Sequence, residues 1–235
     1  MNKTTFHSQL SDQGLILNDL QMQQFSDYLT LLQEWNEKMN LTAITEEEEV
    51  WEKHFYDSVL PFLTTDFHHL CDVGSGAGFP GIPLAIVWPD RAFTLVDPLA
   101  KRCRFLEEVV SKLGLSNVKV VNARAEDFAR DHRAAFDAVS ARAVARLSIL
   151  LELCIPLVKN DGTFIALKGA AALEELEQAA PALDALKTKV ERIEKFELEE
   201  GNRINLFFKK TGKTPSQYPR NYSQIKKKPL EVAHG

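Results

Sequence analysis

From Asp19 to Met39 apolar side chains recur every three or four positions, at Met22, Phe25, Leu29, Leu32, Trp35 and Met39. Polar residues fill the intervals, so the segment predicts an amphipathic helix with one buried stripe. A second helix is expected just after it. Thr45-Glu-Glu-Glu48 has the T-x-x-E form of a capping box, and Trp51, Phe55, Ser58, Val59 and Phe62 then mark one face. The glutamates from 46 to 49 read as favourable charge at a helix N-terminus before they read as a binding patch.

Beyond residue 66 the period changes. β-rich runs near His69 to Val73, Ala92 to Val96, Val118 to Val121, Phe136 to Ser140 and Thr163 to Leu167 are separated by helical stretches. Those stretches are Gly81 to Val87, Leu99 to Leu113 with Gly114 as a C-terminal cap, and Leu147 to Val158, with Glu174 to Leu186 following. Such alternation is how a parallel α/β sheet reads. Val190 to Leu198 and Arg203 to Lys209 instead predict an antiparallel hairpin around a turn containing Gly201 and Asn202. From Thr211 on, Pro, Lys and polar residues dominate and no element is predicted. The expected organisation is a helical extension over 1–65, a Rossmann-like core over 66–210 and a basic tail over 211–235.

Composition narrows the class without choosing a function. At 235 residues, with 45% hydrophobic and 26% charged side chains, the chain has the means for a real core. Its first residues hold no apolar leader, and no stretch approaches the roughly 20 apolar residues of a membrane span, so a cytoplasmic, membrane-free protein is expected. Cys71, Cys103 and Cys154 are widely spaced, which suits buried reduced thiols, and neither they nor the six histidines have metal-ligand spacing. The net charge of −5 is unevenly spread: Asn202 to Pro229 carries eight Lys or Arg residues and no acid.

The chemistry concentrates in Asp72-Val-Gly74-Ser-Gly76-Ala-Gly78. A strand running into alternating glycines and then a helix lets the backbone turn sharply and a ligand come close. A dinucleotide fingerprint starting at Gly74 needs glycine at 79, where Phe79 stands. G-x-G-x-G with an acid two residues earlier is instead the pattern of Rossmann-like methyltransferases, in which Asp72 can serve the amino-acid end of S-adenosylmethionine. Asp97, about 20 residues past the loop at a strand end, is a candidate for ribose hydroxyls or else a turn aspartate before Pro98. Glu126 follows the third strand and can accept from an adenine amine or act as a helix-start charge.

Read onward as Leu70-Cys-Asp-Val-Gly-Ser-Gly-Ala-Gly-Phe-Pro-Gly-Ile-Pro-Leu84, the chain resembles the bacterial small-subunit ribosomal RNA guanine-N7 methyltransferases, the RsmG (GidB) family. The resemblance extends through Trp35 to Thr42, His54 to Ser58, Asp97 to Leu106, Ala123 to Glu126, Ser140 to Val144, Leu167 to Gly169, Tyr218 to Arg220 and Lys226 to Leu230. It implies a class I S-adenosylmethionine-dependent methyltransferase fold and methylation of N7 of guanosine 527 in the 530 loop of 16S rRNA. Carried over residue by residue, it implies cofactor contacts at Gly74, Phe79, Ala125, Glu126 and Arg142, beside Asp72, Gly76, Gly78 and Asp97.

Guanine N7 offers a lone pair and no proton, so no catalytic base is expected and the protein's task is positioning. Phosphate contacts are expected from Arg142, Lys168, Arg203, Arg220, Lys226, Lys227 and Lys228, with Lys101, Arg102, Arg104 and Arg146 as further candidates. The expected partner is 16S rRNA or the small subunit, and the expected state a monomer without metal. A methyltransferase with a different RNA, protein or small-molecule acceptor, an oxidoreductase, and a non-catalytic RNA-binding module are the alternative readings.

Overall fold

The computed structural model describes residues 1–198 and 201–232. In chain order its elements are α1 (Lys3–Asp12), α2 (Asp19–Met39), α3 (Glu47–Glu49), a π-helical stretch (Val50–Tyr56), α4 (Asp57–Val59) and a 3-10 turn (Leu60–Phe62). There follow β1 (His69–Val73), α5 (Gly81–Val87), β2 (Ala92–Asp97), α6 (Ala100–Leu113), β3 (Val118–Asn122), α7 (Ala125–Asp131), β4 (Phe136–Arg142) and α8 (Leu147–Cys154). A 3-10 turn (Ile155–Leu157) leads to β5 (Val158–Lys168), α9 (Ala172–Gln178), α10 (Ala180–Leu186), β6 (Thr188–Leu198), β7 (Gly201–Lys210) and α11 (Tyr222–Lys227). The chain divides into two compact units, 1–68 with 75–122 and 69–74 with 123–235. Within one unit β3 lies beside β2, and within the other the strand order is β1-β4-β5-β7-β6.

In the first unit β2 and β3 pair in parallel, and α2 has the predicted bounds. Asn18 and Gln21 close a reciprocal capping box at its start, and it buries Phe25, Tyr28, Leu29 and Leu32. Helix α1, which hydrophobic patterning does not predict, is capped by the Asn2 side chain and buries Phe6 and Leu10. Phe6 meets Phe25 and Trp51 at centroid distances of 5.0 and 5.1 Å, an aromatic core that ties α1 and α2 to the π-helical stretch. The expected capping box at Thr45 does not form. The helix begins at Glu47 with no side-chain cap, and the Thr45 carbonyl accepts from Gln33 instead. The widened turns from Val50 bring Trp51 and Phe55 5.1 Å apart, edge to face, within this core. Tertiary packing, rather than a local cap, sets this helix.

In the second unit β1, β4 and β5 are parallel, with Asp72 opposite Ser140 and Arg142 opposite Leu167, and β7 and β6 continue antiparallel. The single helix expected over Glu174 to Leu186 is two, because Pro181 at the start of α10 suits a new first turn and not a helix interior. Gly201 and Asn202 open β7 rather than making the turn: Leu198 pairs with Gly201, and the two residues between lie outside the described residues.

The tail, for which no element was predicted, is ordered. Arg133 donates to the carbonyls of Thr214 (2.8 Å), Pro215 (3.3 Å) and Tyr218, and Arg220 pairs with Glu152. Helix α11 has its own capping box between Asn221 and Gln224 and buries Ile225. Further on, Glu231 accepts from Ser148 at 2.7 Å and the Val232 N–H donates to the Gln178 carbonyl at 2.9 Å. These bonds reach residues more than 50 positions away, so local patterning carries no trace of them.

Candidate active site

The glycine loop is shaped first by the protein's own atoms. Gly74, Gly76 and Gly78 have φ of +72°, +59° and +99°, a region that L side chains adopt only with strain. A Cβ on Gly74 would stand 2.5 Å from Val144 Cγ2, and one on Gly78 would stand 2.6 Å from the Tyr28 hydroxyl and 2.7 Å from Ile82 Cγ1. Room for a ligand is therefore not the first reason for glycine at 74 and 78. The loop is fastened by Gly78 N–H to Ser75 carbonyl (2.7 Å), by Ile82 N–H to Gly78 carbonyl (2.8 Å) and by the Tyr28 hydroxyl donating to the Ala77 carbonyl.

Asp97, the last residue of β2, is fully buried. Its Oδ2 accepts the Gly76 N–H at 3.0 Å and its Oδ1 accepts the Leu99 N–H at 2.9 Å, with Arg102 Nη1 at 3.7 Å from Oδ2. It is thus both a turn aspartate and a loop anchor. The consequence concerns ligand chemistry: a loop amide that a pyrophosphate would use already faces a carboxylate. Pro80 and Pro83 remove two further N–H groups around the start of α5.

In the second unit Asp72 is fully buried at the end of β1, and Ser140 Oγ donates to its Oδ1 at 2.9 Å. Ala125 and Glu126 open α7, and the nearly buried Glu126 has Arg124 Nη1 at 3.5 Å. Arg142 ends β4 half-buried and is followed by Ala143 at φ +53° and Val144. Lys168 ends β5 but is no solvent-facing cation: its Nζ lies 2.7 Å from Glu175 Oε2 and 3.1 Å from the Ala145 carbonyl. Glu175 also accepts the Leu147 N–H, so this pair braces the segment after β4. Arg220 is likewise committed to Glu152. Arg203 is half-buried on β7, whereas Lys226, Lys227 and Lys228 are exposed, and a cavity of about 380 Å³ is lined by Arg220, Gln224, Lys227 and Lys228.

Phe79 has a second role that spacing did not reveal. Its ring is buried, stacked on His54 at 4.3 Å and 20°, with Tyr28 at 5.5 Å, so only its main chain is left for a ligand. His54 in turn meets Thr42 Oγ1 at 2.9 Å, linking the π-helical stretch to the loop. The strings Trp35 to Thr42 and His54 to Ser58 carried that signal, without a chemistry attached. Cys71 and Cys154 are free thiols that burial pushes well above their ordinary pKa, with the charge of Asp72 adding to the shift, so they stay protonated. Among the described residues no group of three or more His, Cys, Asp or Glu could hold a metal, and no helix is long and apolar enough to cross a membrane.

The fold is similar to the solved precorrin-6y C5,15-methyltransferase of Geobacter metallireducens, with TM-score 0.54 and 16% identity over 72% of this chain and 90% of that one. It is also similar to a 16S rRNA (adenine(1408)-N(1))-methyltransferase of Catenulisporales acidiphilia, with TM-score 0.53 and 17% identity over 63% of this chain and 87% of that one. At such identities the likeness is one of fold, and it defines a class I methyltransferase sheet. Residues 21–204 match the family model described as rRNA small subunit methyltransferase G. Relatives named ribosomal RNA small subunit methyltransferase G from Geobacillus kaustophilus and Bacillus cytotoxicus are 49% and 50% identical over 238 aligned residues, 98% of this chain and 100% of theirs. The chain belongs to the GidB family of small-subunit ribosomal RNA methyltransferases.

Proposed function

We propose that this chain transfers the methyl group of S-adenosylmethionine to N7 of guanosine 527 in the 530 loop of 16S rRNA. Family membership supports the RNA and the reaction type. The cofactor reading rests on one observation above all, the Asp97 carboxylate bonded to the Gly76 N–H. With buried Asp72 and Glu126 it makes the binding residues acidic and acceptor-rich. That suits a sulfonium ligand bearing an ammonium, two hydroxyls and an exocyclic amine, and it repels a pyrophosphate.

In this reading Asp72 and the main chain from Gly74 to Phe79 hold the amino-acid end, Asp97 the ribose hydroxyls, and Ala125 with Glu126 the adenine. Bound there, the cofactor supplies an electrophilic methyl on sulfur. The protein contributes alignment of that methyl with the guanine lone pair and exclusion of water, effects worth up to about 7–11 kcal/mol in well-oriented reactions. No residue is assigned a proton transfer, because N7 carries none.

Arg142, Arg203 and Lys226 to Lys228 are the proposed RNA contacts, while Lys168 and Arg220 act by holding the segments around them. Residues 1–65 serve as a helical extension to a core over 66–210 with the tail over 211–235, and the enzyme acts as a cytoplasmic monomer, where its acceptor is found. The test is methyl transfer from labelled S-adenosylmethionine to 30S subunits and to naked 16S rRNA, with the labelled base mapped. Label at N7 of guanosine 527 is the expected result. Label on any other atom overturns the assignment.

A further inference from the structure

In the second unit, beside the residues that lead into β4, a cavity of about 450 Å³ is lined by Arg133, Asn160, Lys210, Lys213, Thr214 and Ser216 among others. It lies at the opposite end of β4 from Arg142. Seven strand residues at about 3.3 Å per residue put roughly 20 Å between the two ends. The cofactor residues of this unit are at the far end, so the cavity is not part of their site.

Three cations and no carboxylate contribute to its wall. None of the three forms an ion pair with a carboxylate among the described residues. Arg133 spends its donors on the carbonyls of Thr214, Pro215 and Tyr218, and Lys210 donates to the carbonyls of Val158 (2.6 Å) and Ile155 (3.2 Å). Carbonyl dipoles hold these groups in place without cancelling their charge. Lys210 is only 2% exposed, and burial together with the like charge of Arg133 pushes its pKa down to about 8. An ammonium buried beside a guanidinium, with no counter-charge, is an arrangement that an anion would relieve. The remaining wall is suited to an oxyanion: the third ammonium N–H of Lys210, the exposed Lys213, and the exposed polar side chains of Ser216 and Asn160.

We propose that this cavity binds a phosphate-type oxyanion, either a backbone phosphodiester of RNA or free inorganic phosphate. The same Arg133 shapes the 214–218 turn that leads to Lys226, so a phosphodiester held here would add an anchor to the tail lysines at the end of the sheet away from the methyl transfer. The proposal stands whether or not guanosine 527 is the acceptor, since it concerns the anion alone.

The test uses the full chain with lysines labelled at 13Cε, the Lys210 resonance assigned from K210Q. Inorganic phosphate should move that resonance saturably and raise its titration midpoint, while sodium chloride at matched ionic strength should not. Lys213 is exposed and forms no ion pair among the described residues, so K213E should fold normally and bind phosphate roughly fivefold more weakly. A 16S rRNA fragment that moves the Lys210 resonance and competes with phosphate assigns the site to RNA. Phosphate binding that the fragment leaves untouched assigns it to the free anion. No saturable response to either probe, or the same response to chloride, overturns the proposal.

Discussion

Arg220 grips Glu152 with two prongs, Nε at 2.8 Å from Oε1 and Nη2 at 2.6 Å from Oε2, and its main-chain N–H adds a third bond to Oε1 at 2.9 Å. The Glu152 side chain is 0% exposed and that of Arg220 23%. Removing the guanidinium would leave a buried carboxylate without a counter-charge, held only by the main-chain N–H of residue 220, at a cost of about 3–5 kcal/mol. R220A should therefore lower Tm by several degrees and speed hydrogen exchange over residues 211–232. E152Q should cost less, because the arginine left behind can reach water. A wild-type Tm in R220A would mean that the pair contributes nothing to docking the tail.

Gly74 carries two separate requirements, a positive φ and the space that Val144 fills. G74A should lose about 1–2 kcal/mol to backbone strain alone, with the 2.5 Å overlap adding to it. Shortening Val144 to Ala should recover the overlap part and leave the strain. The double-mutant cycle, read by urea unfolding and by S-adenosylmethionine calorimetry, should show positive coupling. Strict additivity would disprove the contact.

The Tyr28 hydroxyl holds the carbonyl of Ala77 in the middle of the loop. Y28F keeps the ring and removes the bond, at about 1 kcal/mol. The loss is expected in cofactor affinity, about fivefold, more than in Tm, because the loop it fastens is the proposed binding element. Wild-type cofactor affinity in Y28F would remove Tyr28 from that role.

Lys210 gives a pH signature with a definite sign. Its pKa is about 8 in the folded chain against 10.5 when free, so between those values the unfolded chain binds more protons and stability rises with pH. Below pH 8 both states are charged and the penalty of burial is complete. The stability of wild type relative to K210M should accordingly improve as pH rises from about 7.5 to about 10. A difference independent of pH in urea titrations would show that Lys210 titrates as an ordinary lysine.

Lys226, Lys227 and Lys228 are exposed on or beside the last turn of α11. Their joint replacement by Ala should weaken RNA binding, and flatten its dependence on salt by up to about 0.7–0.9 in log–log slope for each phosphate that is no longer neutralised. Cofactor affinity should not change. An unaltered salt slope would make these lysines bystanders.

Much of the fold is legible in the sequence. The three- and four-residue spacing of Phe25, Leu29 and Leu32 fixed α2 to the residue, and Gly114 capped α6 in the left-handed conformation as its position required. The acids at 72, 97 and 126 all emerge buried. What failed did so for a common physical reason. Thr45 offers a cap that aromatic packing overrides, Arg220 is held by Glu152 from 68 positions away and Lys168 by Glu175 on the next helix, and the tail's order depends on Arg133, Glu152 and Gln178. Sequence reports a charge and its local neighbours. It does not report which distant group has claimed that charge.

The fastening of the tail has a thermodynamic consequence. A flexible basic arm loses about 1–2 kcal/mol of backbone conformational entropy for each residue that becomes fixed when it meets an RNA. The segment from Thr211 to Val232 undergoes that ordering during folding, through Arg133, Glu152, Ser148 and Gln178. Its lysines meet any polyanion from a backbone already at rest, so association through them should show little of the heat-capacity change that accompanies coupled folding.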